Sequence, residues 1–417
     1  MNPLFTNDAI VLGLLMAVLA FVFYTSGKKT GFWAKFYKVV PALLMCYFLP
    51  ALLAWPLGWI SGDQSNLYFV ASRYLLPASL ILLTLSTDFK AILKLGSKAL
   101  IMFAAATIGI IIGGPIALWL VLNVAPEGLF QADGASLWRG LTTVAGSWIG
   151  GGANQTAMKE IFEVEDNLFA SMIVVDIIVA NIWLAFLLYG AGQASRLDRW
   201  LRADTSSIED LKNKVEAFQT KVAKIPTTGE VIMLLGITFL GVGVAHLGAD
   251  RIVPWMNQYE VGLKAFKLDS LLSGFFWLIV LATTFGLALS FTRARQMEGV
   301  GASRLGSIFI YILVATIGMK MNLGEVLQNL GIFAIGIVWM MIHIIVLIVV
   351  AKIIKAPFFF VAVGSQANVG GAASAPVVAS VFSPALAPVG VLMAVLGYTL
   401  GTYGAIICAF LMQSVVG

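Results

Sequence analysis

The chain has 417 residues, of which 60% are apolar and 11% charged, whereas soluble domains carry about 45–50% apolar and about 25% charged residues. Water is therefore not its main solvent, and a soluble enzyme is excluded. The formal charge of +5 does not indicate a nucleic-acid partner, because the lysines and arginines stand at the ends of apolar runs, the positive-inside pattern of a protein whose partner is the lipid bilayer.

Taken in order, apolar runs are predicted at about 9–26, 39–58, 67–87, 97–123, 140–158, 168–192, 229–248, 270–291, 305–320, 330–351, 358–381 and 386–412. Most reach the ~18 residues that cross a hydrocarbon layer of about 30 Å as a helix. None alternates in the manner of a membrane barrel strand. The expected fold class is an all-α polytopic membrane protein with about 11–13 transmembrane helices, placed in a bacterial cytoplasmic (inner) membrane. Asn2–Asp8 lacks the basic start of a signal peptide, and no small-residue cleavage site follows the first run, which is read as a retained span. Cys46 and Cys408 lie inside runs without partners at ligand spacing, as small core residues do.

Ser195–Thr228 is a long polar stretch, with a helical pattern from Ile208 to Ile225 that puts Leu211, Val215, Phe218 and Val222 on one side. It is expected to lie on the membrane surface as a linker, 193–228, between a first transmembrane repeat, 1–192, and a second, 229–417. Lys28, Lys29, Lys35 and Lys38 place the loop after the first run in the cytoplasm, and Lys90, Lys94 and Lys98 do the same after the third. Arg293, Arg295 and Arg304 place the loop after the eighth run there, and Lys352 and Lys355 the loop after the tenth. Five runs separate the third loop from the eighth, and an odd number cannot join two loops on one side. Either one run between Gly96 and Phe291 fails to cross or a further crossing is hidden there.

The two halves share a motif in the fifth run of each. The first reads GSWIGGGANQTA from Gly146 to Ala157, the second GSQANVGGAASAP from Gly364 to Pro376. A glycine costs a helix about 1 kcal/mol relative to alanine, so Gly150, Gly151 and Gly152 together should unwind it. Unwound backbone at membrane depth is tolerated only where protein or a wet cavity surrounds it, and paired interrupted helices mark the binding site of many secondary transporters. Close packing alone explains Gly109-xxx-Gly113 and Gly397-xxx-Gly401. It does not require Ser147, Asn154, Gln155, Thr156, Ser365, Gln366, Asn368 and Ser374 beside Gly151, Gly152 and Gly370. Those side chains suit Na⁺ or a small polar solute and are poor acids and bases. Asp176 is a carboxylate deep inside a run, which is costly unless it works; it is a candidate coupling-ion ligand or proton acceptor, with Asn181 further along the same helix. Tyr398, Thr399 and Thr402 can add hydroxyls. Arg73 and Lys320 are read as charge anchors near run ends, with attraction of an anionic substrate as the alternative for Lys320, and His246 and His343 as interfacial or packing residues. The chain has no HExxH, GxSxG or GxxxxGK[ST] sequence, so intramembrane hydrolysis and ATP-driven pumping lack their residues, and no enzyme activity or organic cofactor is expected.

The first motif, continued as GSWIGGGANQTAMKEIFEVE, with VVDIIVANIWLAFLLYG and VGSQANVGGAASAP, resembles the YjcL-like membrane proteins, a domain of unknown function grouped with the bile acid:sodium symporters and cation/proton antiporters. That resemblance implies two inverted structural repeats, with a core domain of two crossing discontinuous helices beside a panel domain, and an elevator mechanism in a homodimer. It implies that Asn154, Gln155, Gln366 and Asn368 fall where relatives hold ion and substrate, and that Asp176 stands on the helix bearing the antiporters' essential acid. No second acid accompanies Asp176, so sodium-coupled symport of a carboxylate, amino acid or short peptide is expected, with Asp176, Asn154 and Gln366 as the sodium ligands. Proton-coupled antiport or export is the alternative, and an intramembrane enzyme or a non-transporting scaffold the second.

Overall fold

The structure is a computed structural model that describes residues 3–37, 40, 42–88, 92–93, 95–124, 134–206, 208, 226–265, 269–320, 331–383 and 386–416; among them every regular element is helical. The amphipathic pattern beyond Ile208 lies outside the described residues. Among the described residues, seven helices are long and apolar enough to cross a membrane: α1 (Asp8–Ser26), α3 (Leu67–Leu85), α4 (Ser97–Val124), α6 (Asp166–Gly192), α8 (Thr228–Met256, continuing to Lys264), α11 (Gly331–Ile353) and α14 (Ala387–Val416). Shorter apolar helices are α2 (Ala42–Ala54), α9 (Gly274–Ser290) and α10 (Ala302–Gly318), and α7 (Ala194–Leu201) is a polar helix. The chain is thus a polytopic helical membrane protein with fewer long spans than its apolar runs predict, because three of those runs form the shorter helices α2, α9 and α10 and two fold back on themselves.

The first is α5 (Gly134–Ile161), broken at Gly151, where φ is 74° and ψ is −173°. An unbroken helix would hold Trp138 about 35 Å from Phe162, yet their rings are 5.6 Å apart. Gly146 packs so closely on the returning arm that a β-carbon there would fall 2.6 Å from the Asn154 carbonyl oxygen. The second is α12 (Phe358–Val369) with α13 (Gly371–Phe382), which turns at Gly370 and Gly371, the latter with φ of 56°. Phe359 and Phe382, at its two ends, are 5.3 Å apart. The expected crossing discontinuous helices are therefore two helical hairpins. Glycines at positive φ, where a side chain would be strained, reverse the chain instead of letting it go on. The odd count of runs is resolved with them, since 140–158 enters and leaves on one side.

The faces are fixed by contacts. On the basic one, Lys98 pairs with Asp204 at 2.9 Å, Asp204 N–H donates to Lys355 O, and Lys352 sits 4.8 Å from the Trp200 ring centre. Lys98 and Ser206 hold the exposed Asp204 carboxyl down at about 2. The α12–α13 hairpin starts on this face, where Asp198 of α7 caps α12 by accepting from Phe358 N–H at 2.7 Å. The α5 hairpin starts on the opposite face, with Gly134 against Val416.

Two packing groups result: α4, α5, α6, α11, α12, α13 and α14 pack mainly on one another, and α1, α2, α3, α8, α9 and α10 do likewise. In α11, Trp339, Met340, His343 and Leu347 are buried while Ile337, Met341, Ile345 and Val349 form an exposed stripe four residues apart. An apolar stripe of that kind suits lipid, not water.

Candidate functional site

The turns of the two hairpins meet. Gly151, Gly152 and Ala153 of the first, and Gly370 and Gly371 of the second, line one cavity of about 140 Å³, bordered also by Tyr398 of α14 and by Leu83, Ser307, Ile310 and Tyr311 of the other group. α14 runs between both turns. A β-carbon on Gly397 would fall 2.8 Å from Ile149 O and 3.1 Å from Ala367 O, and one on Gly401 would fall 2.5 Å from the Gly150 α-carbon. Gly397-xxx-Gly401 is thus a packing motif, as predicted, and what it packs against is the two turns. Gly109 likewise admits the backbone of His343.

Polar side chains hold each turn shut. Asp176 is buried on α6, and its Oδ2 accepts from Ser147 Oγ at 2.6 Å and Gln155 Nε2 at 2.9 Å, while Oδ1 accepts from Trp148 Nε1 at 2.6 Å. Ser147 and Trp148 precede Gly151 and Gln155 follows it, so one carboxylate bridges both arms. Three donors on an ionised carboxylate offset much of its desolvation. At the second turn Ser374 Oγ donates to Gln366 Oε1 at 2.6 Å across Gly370, and a β-carbon on Gly370 would collide with both side chains. Gln366 Nε2 is buried and has no hydrogen-bond partner among the described residues, an open donor beside the turn.

The two asparagines behave alike. Asn154 Nδ2 donates to Gly150 O at 2.9 Å and its Oδ1 accepts from Thr402 Oγ1. Asn368 Nδ2 donates to Gly364 O at 3.0 Å and its Oδ1 accepts from Thr107 Oγ1 at 2.9 Å. Ser365 Oγ, one residue after Gly364, contacts His343 Nε2 and accepts from Trp183 Nε1, both at 2.8 Å. Thr156 donates to Gly152 O and Ala153 O, within the first turn of the returning arm.

The predicted residues are therefore brought together in two clusters, Ser147, Gly151, Gly152, Asn154, Gln155, Thr156 and Asp176 at one turn and Ser365, Gln366, Asn368, Gly370 and Ser374 at the other. Asn181 stands aside, its amide donating to Ile177 O of its own helix. Hydrogen bonds do not tie Asp176, Asn154 and Gln366 into one set: their partners are respectively Ser147, Trp148 and Gln155; Gly150 and Thr402; and Ser374. Trp148, Trp183, Thr107 and His343 complete the clusters: Trp148 lies inside the first glycine motif and Trp183 in the segment that follows Asp176, while only their position inside apolar runs marks Thr107 and His343. Thr399 meets Thr87 at 2.8 Å, and both cysteines are buried and free.

The profile of the family described as "Protein of unknown function (DUF819)" matches residues 13–415. The chain belongs to that family. A protein of Bacillus subtilis (strain 168) described as "Uncharacterized membrane protein YjcL" is 23% identical to it over 347 residues, which cover 82% of each chain. The family match takes in both hairpins, α14 and α6, so the clusters lie wholly inside the shared region.

Proposed function

We propose that the protein is a secondary transporter of a small organic solute, a carboxylate, amino acid or short peptide, coupled to sodium and working by elevator-type alternating access in the bacterial cytoplasmic membrane. The observation that carries this reading is the meeting of two helix breaks from opposite faces at one cavity. Irregular backbone at that depth belongs beside a cavity, and freed carbonyls and helix ends at paired breaks serve ion and substrate in secondary transporters. The order of elements supports two inverted repeats: each half has three helices, then a long helix, a hairpin and another long helix, and the hairpins enter from opposite faces. In this reading the seven-element group is the moving core and the six-helix group the panel, in a homodimer, with the basic face cytoplasmic.

Sodium fits the neutral oxygens at the turns and the carboxylate of Asp176. A proton is the second reading, because Asp176 is a buried carboxylate on a spanning helix, a group able to take up and release one. Thermal unfolding of the purified protein in NaCl against KCl and choline chloride tests the first. A ligand that binds only the folded state raises its stability, so sodium should raise the midpoint, and Asp176→Ala and Asn154→Ala should abolish the rise while Cys46→Ala keeps it. No rise with sodium at pH 6 to 8 rejects sodium coupling. A thermal-shift screen of small carboxylates and amino acids, followed by flux into proteoliposomes, then tests transport itself.

A further inference from the structure

On the face opposite the basic one, charged side chains tie the two helix groups together. Arg73 of α3 pairs with Glu160 at 3.3 Å, and Lys320, just past α10, pairs with Asp166 at 2.9 Å. Lys159 meets Asp166 at 2.9 Å and donates to Tyr68 Oη at 3.0 Å. Lys159, Glu160 and Asp166 belong to the hairpin group; Tyr68, Arg73 and Lys320 belong to the other. The side chains of Lys159 and Glu160 are only 6% and 9% exposed. The pairs that cross between the groups are less buried, Arg73 being 35%, Lys320 20% and Asp166 24% exposed; exposed ion pairs contribute little, but parting Arg73 from the buried Glu160 carboxylate removes part of that charge's compensation. These contacts therefore resist separation until something compensates them.

Position along the helices gives the arrangement its meaning. α3 carries Tyr68 and Arg73 toward its start and Leu83 at its far end, and α10 runs from Ser307 to the Lys320 end. Leu83 and Ser307 line the cavity between the turns. The same two helices thus hold the hairpin group tightly at one end and border the cavity at the other.

We propose that Arg73, Glu160, Lys159, Asp166, Lys320 and Tyr68 form the outer gate of the transporter, closed in this structure, and that their separation is the step that opens the cavity to the outside. This rests on the two-group transport reading. The test is labelling of Ser307→Cys by a membrane-impermeant maleimide in intact cells and in inside-out vesicles. Cys46 and Cys408 are buried, so the protein without the added cysteine supplies the background.

Ser307→Cys should label in inside-out vesicles and hardly at all from outside. Adding Glu160→Arg should raise outside labelling at least fivefold, and the swap Arg73→Glu with Glu160→Arg should bring it back down. Lys320→Met replaces Glu160→Arg as the opening variant if the latter does not elute as folded protein. Unchanged outside labelling in a folded opening variant overturns the gate, and so does a rise that the swap leaves in place. Labelling needs no solute, so a failure to find a transported solute leaves this result standing, and a failed gate leaves transport untouched.

Discussion

Asn154 and Asn368 make matching hydrogen bonds: each amide donates to the carbonyl of the glycine four residues back, and each amide oxygen accepts from a threonine on a neighbouring long helix. Thr402 is on α14 and Thr107 on α4, so each asparagine pins a hairpin arm to the helix beside it. Truncation removes two buried hydrogen bonds, and although Thr402 keeps Thr283 and Thr107 keeps Phe103 O as partners, that loss costs about 1–3 kcal/mol. Asn154→Ala and Asn368→Ala should each lower stability by that amount, read from denaturant unfolding of the purified protein. Asn181→Ala, which loses only a bond within α6, should stay within about 0.5 kcal/mol of the parent. Equal effects at all three positions would remove the asparagines from any special place at the turns.

The donors on Asp176 are unequal in what they join. Trp148→Phe removes one of three and leaves Ser147 and Gln155 bridging the break, so its cost should be about 1 kcal/mol. Asp176→Asn turns an acceptor-only group into one with two donors of its own, and at least one of its neighbours then faces a donor. It should be the more damaging change, by about 2 kcal/mol or more, with the loss seen also as faster proteolysis near Gly151. If Asp176→Asn is as stable as Trp148→Phe, the carboxylate is protonated in the parent and the donor count above is wrong.

How much of this was legible in the sequence divides along a physical line. Where the helices stop was legible, because Gly150, Gly151 and Gly152, like Gly370 and Gly371, weaken a helix locally. The direction in which the chain leaves was not. It is decided by Gly146 packing on the Asn154 backbone and by Trp138 meeting Phe162, contacts between segments that no local pattern relates. The same holds for the charged stretch from Lys159 to Asp166. It lies just past a predicted run, and Arg73 and Lys320 read as anchors, until the fold sets them against one another. His343 was legible as a buried residue; that it meets Ser365 was not.

Glycine substitutions should rank by geometry. Gly401→Ala would set a β-carbon 2.5 Å from the backbone of Gly150, which neither helix can relieve by turning a side chain, so it should cost about 2–3 kcal/mol and disturb the first turn. At Gly371 nothing lies within 4 Å of the added carbon, but φ is 56°, a region that costs an L-residue about 1–2 kcal/mol. Gly371→Ala should show that smaller loss, and Gly371→Asn less still. Gly236→Ala, in open space within α8, should be neutral or stabilising by up to about 1 kcal/mol. The four stabilities, measured side by side, should rise from Gly401→Ala through Gly371→Ala and Gly371→Asn to Gly236→Ala.

Asp198 offers a pH test outside the membrane-spanning segments. Its Oδ1 caps α12 through Phe358 N–H, and partial burial raises its carboxyl above the ordinary value against the opposing pull of that N–H. A carboxyl whose pKa is raised by folding binds its proton more readily in the folded state. Its contribution is therefore neutral below the unfolded value, about 3.9, and becomes unfavourable as pH climbs through the raised value. Asparagine accepts the same cap bond without charge. Asp198→Asn should thus equal or exceed the parent in stability at pH 7, with the difference shrinking toward pH 4. Asp198→Ala, which leaves the first N–H of α12 uncapped, should fall below both across that range by about 1 kcal/mol. Unfolding midpoints at pH 4, 5.5 and 7 for the three proteins decide it: an Asp198→Asn protein that loses stability as pH rises relative to the parent would mean the ionised carboxylate, through its charge at the helix N-terminus, outweighs the cost of burying it.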